Sequence, residues 1–206
     1  MLLQIKIRYI LVFFILSNEI CAFSQGGKKR EALKKINTVA QAEAFIKKNG
    51  PTSARIGNFT RIIDSIEYKE IKATFRVGDI FYDKRATYKI LANEEEPLSR
   101  CQYILFDGHK MSKNKIDSLR ILLLKQHNSG FPFKSLVKQF SLDGSLNAQD
   151  SGWFRKDKMG ELFFNELSYR NIGDMFLFDY SDKKEFYVVL KTHEVLCADS
   201  WVFIAM

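Results

Sequence analysis

The stretch FSLDGSLNAQDSGWFRKDKMGELF, residues 140–163, carries the densest local pattern of the chain and decides its fold. A helix is predicted to lead into it, because Phe133, Leu136, Val137 and Phe140 recur three and four positions apart and share one face. Residues 141–144 (Ser-Leu-Asp-Gly) favour a turn, since short polar side chains and glycine end helices. The stretch therefore begins with a helix end and a reversal of the chain.

The second half of the stretch combines a glycine with four large apolar side chains. Gly152 directly precedes Trp153 and Phe154, which indicates a tight backbone position that turns both rings inward. Met159 and Phe163 are four residues apart and are predicted to lie on one face of a helix that spans residues 158–168. An apolar shelf beside a turn is therefore expected.

These residues resemble the parvulin family of peptidyl-prolyl isomerases, whose pattern reads roughly F-x-x-L-A-x-x-[YF]-S-x-D-x-x-S…G-G-D-L-G-W-F-x-x-x-x-M-x-x-x-F. Twelve positions match in order: Phe133, Leu136, Phe140, Ser141, Asp143, Ser145, Asp150, Gly152, Trp153, Phe154, Met159 and Phe163. The chain departs by one residue fewer between Ser145 and Asp150, by Ala148-Gln149 in place of two glycines, and by Ser151 in place of leucine. The resemblance covers about residues 99–192.

The resemblance implies an α+β fold over residues 98–196, in which helices wrap a four-stranded antiparallel sheet in the order β-α-α-α-β-α-β-β. Residue patterns predict a strand at 101–106, a helix at 113–127 and a hairpin that turns at 182–184. The charged residues 94–96 and the proline after them predict a chain break and the boundary in front of this domain. The apolar tail, residues 197–206, either adds a strand or begins something truncated.

Residues 38–95 are predicted to be a smaller, degenerate half-repeat of the same domain. Residues 77–81 (VGDIF) match 172–176 (IGDMF), and residues 88–91 (YKIL) match 187–190 (YVVL). Helices are predicted at 40–48 and 68–75, and strands at 77–81 and 86–91 around a turn at 83–85. Two unrelated hairpins that both use Gly-Asp turns are the alternative.

The function that the resemblance implies is that of a peptidyl-prolyl cis-trans isomerase, which assists the folding of exported proteins. Rotation about an Xaa-Pro bond crosses a barrier of about 18–20 kcal/mol without a covalent step, so an apolar shelf and a few hydrogen-bonding groups suffice. No metal or organic cofactor is expected, and no histidine or cysteine cluster has metal-ligand spacing. The implied partners are unfolded or proline-containing polypeptides.

The substrate-binding residues implied by the resemblance are Met159, Phe163, Ser151 and Ser181. Met159 and Phe163 match the proline pocket, Ser151 stands where leucine completes it and predicts a wider, weaker pocket, and Ser181 matches a nearby serine or threonine approximately. Asp143 stands where the family has a cysteine or aspartate beside the reacting amide. Taken alone, the residues also allow core packing for Met159 and Phe163 and a turn-forming role for Asp143.

The two histidines that the family pairs under its active site are both tyrosine here, in Tyr103-Ile-Leu and Tyr187-Val-Val. Two phenols can exchange a hydrogen bond inside a sheet, but they do not titrate near neutral pH. The pair thus keeps an orienting role at the catalytic position without acid–base work, and taken alone each tyrosine is also an ordinary cross-strand aromatic. The alternative function is a non-catalytic parvulin-like module that holds unfolded chains, and a third is a partner subunit that associates through residues 201–206.

Residues 1–24 are predicted to be a cleaved signal peptide, which places the chain in the periplasm. Lys6 and Arg8 precede the apolar run 9–16, and residues 22–24 (AFS) suit a signal peptidase. The run is shorter than the roughly 20 residues of a membrane span, so an anchor is only the alternative. Lipidation at Cys21 is not expected, since the Asn-Glu-Ile before it is a poor lipidation box. An oxidising compartment permits a disulfide between Cys101 and Cys197, with two free thiols as the alternative.

The net charge of the chain is +8 at pH 7 and becomes +7 when Lys6, Arg8 and Glu19 leave with the signal peptide. Basic residues cluster at 28–30 and 34–35, within residues 25–37, which are predicted to be a poorly structured basic leader. We interpret these basic residues as solvent-exposed surface, and weak membrane binding is the alternative. Nucleic acid is not an expected partner. The sequence leaves the oligomeric state open.

Overall fold

The computed structural model describes residues 23–82, 86–142 and 149–206. Within them the chain is a mixed α+β protein with two antiparallel sheets, one of four strands and one of three. The helices are α1 (Phe23–Lys34), α2 (Val39–Asn49), α3 (Ser65–Thr74), α4 (Lys113–Asn128), α5 (Phe133–Phe140), α6 (Lys156–Met159) and α7 (Glu161–Ser168). The strands are β1 (Arg55–Thr60), β2 (Ile80–Tyr82), β3 (Thr87–Leu98), β4 (Cys101–Asp107), β5 (Met175–Tyr180), β6 (Glu185–Lys191) and β7 (Leu196–Ala205). The helices predicted at 40–48, 68–75 and 113–127 and the strand at 101–106 are confirmed.

The chain divides into two compact units, the first up to Glu95 together with Ala198–Met206 and the second Glu96–Cys197. The division falls within the charged stretch 94–97, but the chain break predicted there is wrong, because β3 runs through it as a continuous strand. Its buried half begins at Thr87, whereas Glu94, Glu95 and Pro97 are exposed. Charged side chains therefore mark an exposed part of a strand, where extended backbone persists.

The second unit is built on a sheet in the order β4-β6-β5. The prediction of four strands is wrong for this unit, since the fourth position holds only an isolated bridge between Ser99 and Phe154. Gly152, at φ 63°, interrupts the extended backbone just before that bridge and keeps it short. Two helices, α4 and α5, lie between β4 and the bridge, and two more, α6 and α7, lie between the bridge and β5. The resemblance implied three helices before this position and one after it.

The helix predicted over residues 158–168 is two helices, α6 and α7, separated by Gly160. Gly160 has φ 86° and ψ 151°, a conformation that only glycine adopts readily. The prediction that Met159 and Phe163 share one helical face is therefore wrong. Met159 ends α6, and Phe163 lies in the first turn of α7.

The core of the second unit is mostly aromatic and aliphatic, and it lies on both faces of the sheet. Arg120 of α4 reaches Asp179 of β5, which points to the opposite face from Phe178 and Tyr187. On the other face, Phe163 of α7 contacts Phe178 and Tyr187 edge to face. The α7 face thus packs on the side of the sheet that carries the tyrosine pair.

The first unit has a four-stranded sheet in the order β1-β7-β3-β2. The tail supplies β7, which lies between β1 and β3, so the prediction that the tail adds a strand is confirmed. β2 covers only Ile80–Tyr82 of the strand predicted at 77–81, and the turn predicted at 83–85 lies outside the described residues. This unit is therefore larger than the half-repeat expected at residues 38–95.

The poorly structured leader predicted for residues 25–37 is wrong, because α1 occupies most of it. Leu33 is fully buried and Ile36 is 4% exposed, and both pack in a cluster with Leu91 of β3. The Nζ of Lys89 donates to the carbonyl of Leu33 at 3.1 Å and to Oδ1 of Asn37 at 2.7 Å. Tertiary contacts and capping of its last carbonyls thus hold a helix that its two glycines disfavour.

The two units share one helix–turn–hairpin motif. The Oδ2 of Asp79 accepts the Arg76 amide at 2.8 Å, and the Oδ2 of Asp174 accepts the Asn171 amide at 2.8 Å. The glycine before each aspartate donates to the far strand of its hairpin, Gly78 to Ile90 and Gly173 to Lys191, both at 2.9 Å. Ile90 therefore corresponds to Lys191, and the predicted match of Tyr88 with Tyr187 is wrong by two residues.

Candidate functional site

Tyr103 and Tyr187 lie on neighbouring strands of the second unit. Tyr103 is opposite Val189 and Tyr187 is opposite Leu105, so the two tyrosines share a sheet face and are offset by two residues. Their ring centroids are 5.8 Å apart at an interplanar angle of 60°. Both are buried, at 7% and 6% exposure. The two positions implied by the resemblance thus come together as an edge-to-face pair.

The hydroxyl of Tyr187 donates to Oε2 of Glu185 at 3.0 Å. Burial, and then the adjacent Glu185 carboxylate, raise the pKa of Tyr187 far above its usual value near 10. A phenol has one proton to donate, and that of Tyr187 goes to Glu185. Towards Tyr103, the Tyr187 hydroxyl oxygen can therefore act only as a hydrogen-bond acceptor. Tyr187 is therefore a neutral phenol near pH 7, packed edge to face against Tyr103.

Phe163 and Met159 both approach this pair, but with different exposure. Phe163 is fully buried, with its ring centroid 5.7 Å from that of Tyr187 and 5.1 Å from that of Phe178. Met159 is half-buried, and its carbonyl accepts the hydroxyl of Tyr180. A fully buried ring has no surface to offer a substrate, so the proline pocket expected at Phe163 is filled by the core.

Ser151 serves the backbone. It is 8% exposed, and its Oγ accepts the Cys101 amide at 3.0 Å and donates to the Gly152 carbonyl at 2.8 Å. Ser181 is exposed in the turn between β5 and β6. Asp143 lies outside the described residues. Of the substrate-binding residues expected, Met159 alone is both near the tyrosine pair and partly accessible.

Sequence reasoning missed residues that position the site. Arg120, 2% exposed, donates to Asp179 and also to the carbonyl of Tyr187 at 3.2 Å, so it holds β6 at the tyrosine. The sequence pattern that could have identified Arg120 is its place four residues after Ile116, on the apolar face of α4. Tyr180 and Glu185 are signalled only by their places in a hairpin.

An open recess lies at the end of the sheet face that carries Tyr103 and Tyr187. It has a volume of about 310 Å³ and is lined by Leu105, Asp107, His109, Lys110, Leu142, Lys183 and Glu185. Leu105 and Leu142 are apolar and are joined by a backbone hydrogen bond from the Leu142 amide to the Leu105 carbonyl, 2.9 Å. Both charge signs surround these leucines. The recess thus combines a small apolar contact with polar groups, which suits a peptide segment.

Two cysteines lie in the described part of the chain. Cys101 is buried, Cys197 is exposed, and both are free thiols. Burial raises the pKa of Cys101 to about 12, which leaves it a neutral thiol. Among the described residues no group of three His, Cys, Asp or Glu side chains is placed to hold a metal ion.

A scan against protein-family models and searches of curated proteins and of solved structures found no match to this chain. None of the helices in the described ranges has the length and apolar character needed to cross a membrane. Residues 1–22, most of the predicted signal peptide, lie outside those ranges.

Proposed function

We propose that the second unit is a parvulin-type domain that holds extended segments of unfolded polypeptides and does not isomerise them. The resemblance in the Phe133–Phe163 pattern motivates the family. The mixed α+β fold, the antiparallel sheet and the convergence of Met159, Phe163, Tyr103 and Tyr187 on one sheet face support it.

The observation that carries a holding function over catalysis is the complete burial of Phe163. An isomerase must favour the twisted amide by gripping the proline ring in an apolar pocket. Here the matching ring fills the core against Tyr187, while an open recess lies nearby at Leu105 and Leu142. A chain that binds in this recess makes apolar and polar contacts without its proline being enclosed.

Proline isomerisation is the second candidate, and the position of Met159 favours it. Met159 is half-buried at the edge of the aromatic cluster, where the family pattern places a proline-contacting methionine. A proline that rests on Met159 alone would be held on one side only. Any rate enhancement is therefore expected to be small and to depend on this side chain.

The test compares aggregation of a permanently unfolded client protein with isomerisation of Xaa-Pro peptides in a protease-coupled assay. Suppressed aggregation and an isomerisation rate equal to the uncatalysed rate support the holding function. A catalysed rate that Met159→Ala abolishes supports the isomerase and rejects the first candidate.

The location of the binding recess is tested by Leu142→Asp, with Leu122→Asp as the matched control. Leu142 is 43% exposed in the recess, and Leu122 is 42% exposed on α4. The charge is expected to remove suppression of aggregation at Leu142 and to leave it unchanged at Leu122. Equal suppression by both variants would place binding elsewhere.

A further inference from the structure

Much of the positive charge of the chain lies in residues 27–49, which include most of α1, all of α2 and the turn between them. Residues 27–49 contain seven basic and two acidic side chains, a net +5 out of +8 for the whole chain at pH 7. The sequence predicted a poorly structured basic leader over residues 25–37, but α1 occupies most of it, and residues of α1 and α2 pack in one cluster. Fixed charges on a rigid surface can select a ligand by position as well as by sign.

Between these helices lies a groove of about 510 Å³. Ala32, Ile36, Ala44 and Phe45 supply its apolar surface, and Lys35, Gln41 and Lys48 its polar part. Ile36 is buried and Phe45 is half-buried, whereas Ala44 and both lysines are exposed. The groove is thus apolar inside and cationic along its edges.

Among the described residues neither groove lysine forms a salt bridge, in contrast to their neighbour Lys34, although Glu31 lies close enough to Lys35 to interact with its charge. Lys34 forms a salt bridge with Glu31 at 2.6 Å, and no acidic oxygen of the described part lies within 4 Å of Lys35 or Lys48. Gln41 uses its Oε1 to accept the Asn37 amide at 2.7 Å, which leaves its amide donors for a ligand. Every polar group at the groove therefore offers a donor.

We propose that this groove binds an acidic amphipathic helix of a partner protein. An apolar helix face fits the groove between α1 and α2, and carboxylates beside that face meet Lys35 and Lys48. The leading segment of the chain itself is a poor occupant, since residues 1–22 hold two basic residues and a single acid, Glu19. A second copy would bring like charges together at its own groove.

The test is fluorescence anisotropy of the purified chain with a labelled synthetic peptide of about 18 residues, five helical turns. The peptide carries leucines along one face and glutamates on both flanks, and a second peptide has lysines instead of the glutamates. Saturable binding of the acidic peptide alone, weakened as salt rises from about 0.05 to about 0.5 M, is expected.

Two variants separate charge from shape. Lys35→Glu with Lys48→Glu is expected to raise Kd about tenfold or more, because two attractions become repulsions. Ala44→Trp fills the groove while both lysine charges are kept, and it is expected to raise Kd by a similar factor. The control, Lys69→Glu with Lys72→Glu, changes exposed lysines of α3 in the same unit and is expected to change Kd less than about twofold.

Four outcomes would overturn the proposal. The first is equal affinity for the acidic and the basic peptide, and the second is binding that the charge variant loses while Ala44→Trp keeps it. The third is dimerisation of the chain that the charge variant abolishes. The fourth is binding to vesicles of anionic phospholipid that Ala44→Trp leaves intact. The last two would assign the basic surface to a second copy or to a membrane. Circular dichroism of each variant checks that α1 and α2 remain folded.

Discussion

Tyr187 contributes to the second unit through a hydrogen bond to Glu185 and through its ring contacts with Tyr103 and Phe163. Tyr187→Phe keeps the ring and removes the hydroxyl, so the free energy of unfolding should fall by about 1 kcal/mol. Urea denaturation at pH 7 measures the change. Tyr169→Phe is the control, since Tyr169 is 86% exposed, and it should leave the free energy of unfolding unaltered. Equal values for the two variants would mean that the Glu185 bond adds nothing.

Asp150 gives a pH dependence at the residue scale. The Arg100 guanidinium, hydrogen-bonded to its carboxylate, lowers the pKa of Asp150 to about 2. Because the folded pKa lies below the unfolded value near 4, the pair stabilises the fold above pH 4, and this stabilisation is lost as pH falls towards 2. The carboxylate is 49% exposed, so solvent limits the effect to about 1 kcal/mol or less.

Asp150→Asn should therefore be less stable than the wild type at pH 6, and the difference should vanish near pH 2. Thermal denaturation between these pH values measures it, with Asp182→Asn in the exposed turn as the control. A difference that persists undiminished at the acid end would contradict an ionic origin.

The residues of the site illustrate what a family resemblance can and cannot predict. The resemblance implied that Tyr103, Tyr187, Met159 and Phe163 belong to one region, whereas the residue types alone also allowed ordinary core packing. Whether Phe163 faces solvent depends on Phe178 and Tyr187, which come from distant strands. An apolar residue that fills a core and one that lines a binding pocket have the same local sequence pattern. Only the tertiary structure distinguishes the two cases.

At the scale of elements, Gly160 fixes the angle between α6 and α7. A Cβ at this position would lie 2.5 Å from the Tyr180 hydroxyl oxygen, and its φ of 86° disfavours any other residue. Gly160→Ala should destabilise the protein by about 1–3 kcal/mol. Urea denaturation measures this, and Gly160→Ala should cost less when it is made in a Tyr180→Phe background, because the close oxygen is then absent.

Gly130→Ala is the control for that variant, because Gly130 has φ 93° and no atom lies within 4 Å of the position that an added Cβ would take. It should show backbone strain alone and gain nothing from Tyr180→Phe. If the two alanine variants responded alike to Tyr180→Phe, the contact at Gly160 would be irrelevant.

Helix α1 shows why the basic leader was misjudged from its sequence. Its residues include two glycines and a run of cations, which favour a flexible segment. The contacts that order it, Leu33 with Leu91 and the Lys89 amine at the helix end, come from β3, more than fifty residues away. Lys191 makes the same kind of contact with the carbonyls of Ser168 and Arg170 after α7. The local sequence of a helix cannot predict that a lysine distant in the sequence will hydrogen-bond its last carbonyls.

At the scale of the whole molecule, the two units repeat more than the hairpin. Gly57-Asn-Phe59 of β1 and Gly152-Trp-Phe154 each place a phenylalanine two residues after a glycine, ahead of a helix. Phe59 is opposite Trp201, and Phe154 is opposite Ser99. The sequence signalled the Gly-Asp turns and a strand in the tail, but not that this strand, β7, lies between β1 and β3 and completes the first sheet.

Val202→Pro should unfold the first unit selectively. Val202 lies in a central strand, and proline has no backbone N–H to donate to a neighbouring strand. The chain has two tryptophans, Trp153 in the second unit and Trp201 in the first. In a Trp153→Phe background, the Trp201 urea transition should shift by more than about 2 kcal/mol. In a Trp201→Phe background, the Trp153 transition should stay in place.

Val202→Thr, which keeps the amide and the branched side chain, serves as the control and should move neither transition by more than about 1 kcal/mol. A Trp153 transition that moved together with the Trp201 transition would show that the units unfold as one.

The position of β7 sets the order in which a newly made chain can mature. β1 and the buried half of β3 are translated before the second unit, which begins at Glu96, yet the strand that lies between them is translated after nearly all of it. At about 5–20 residues per second, each hundred residues take roughly 5–20 s. β1 and β3 therefore lack the strand that lies between them until residues 196–205 have been made.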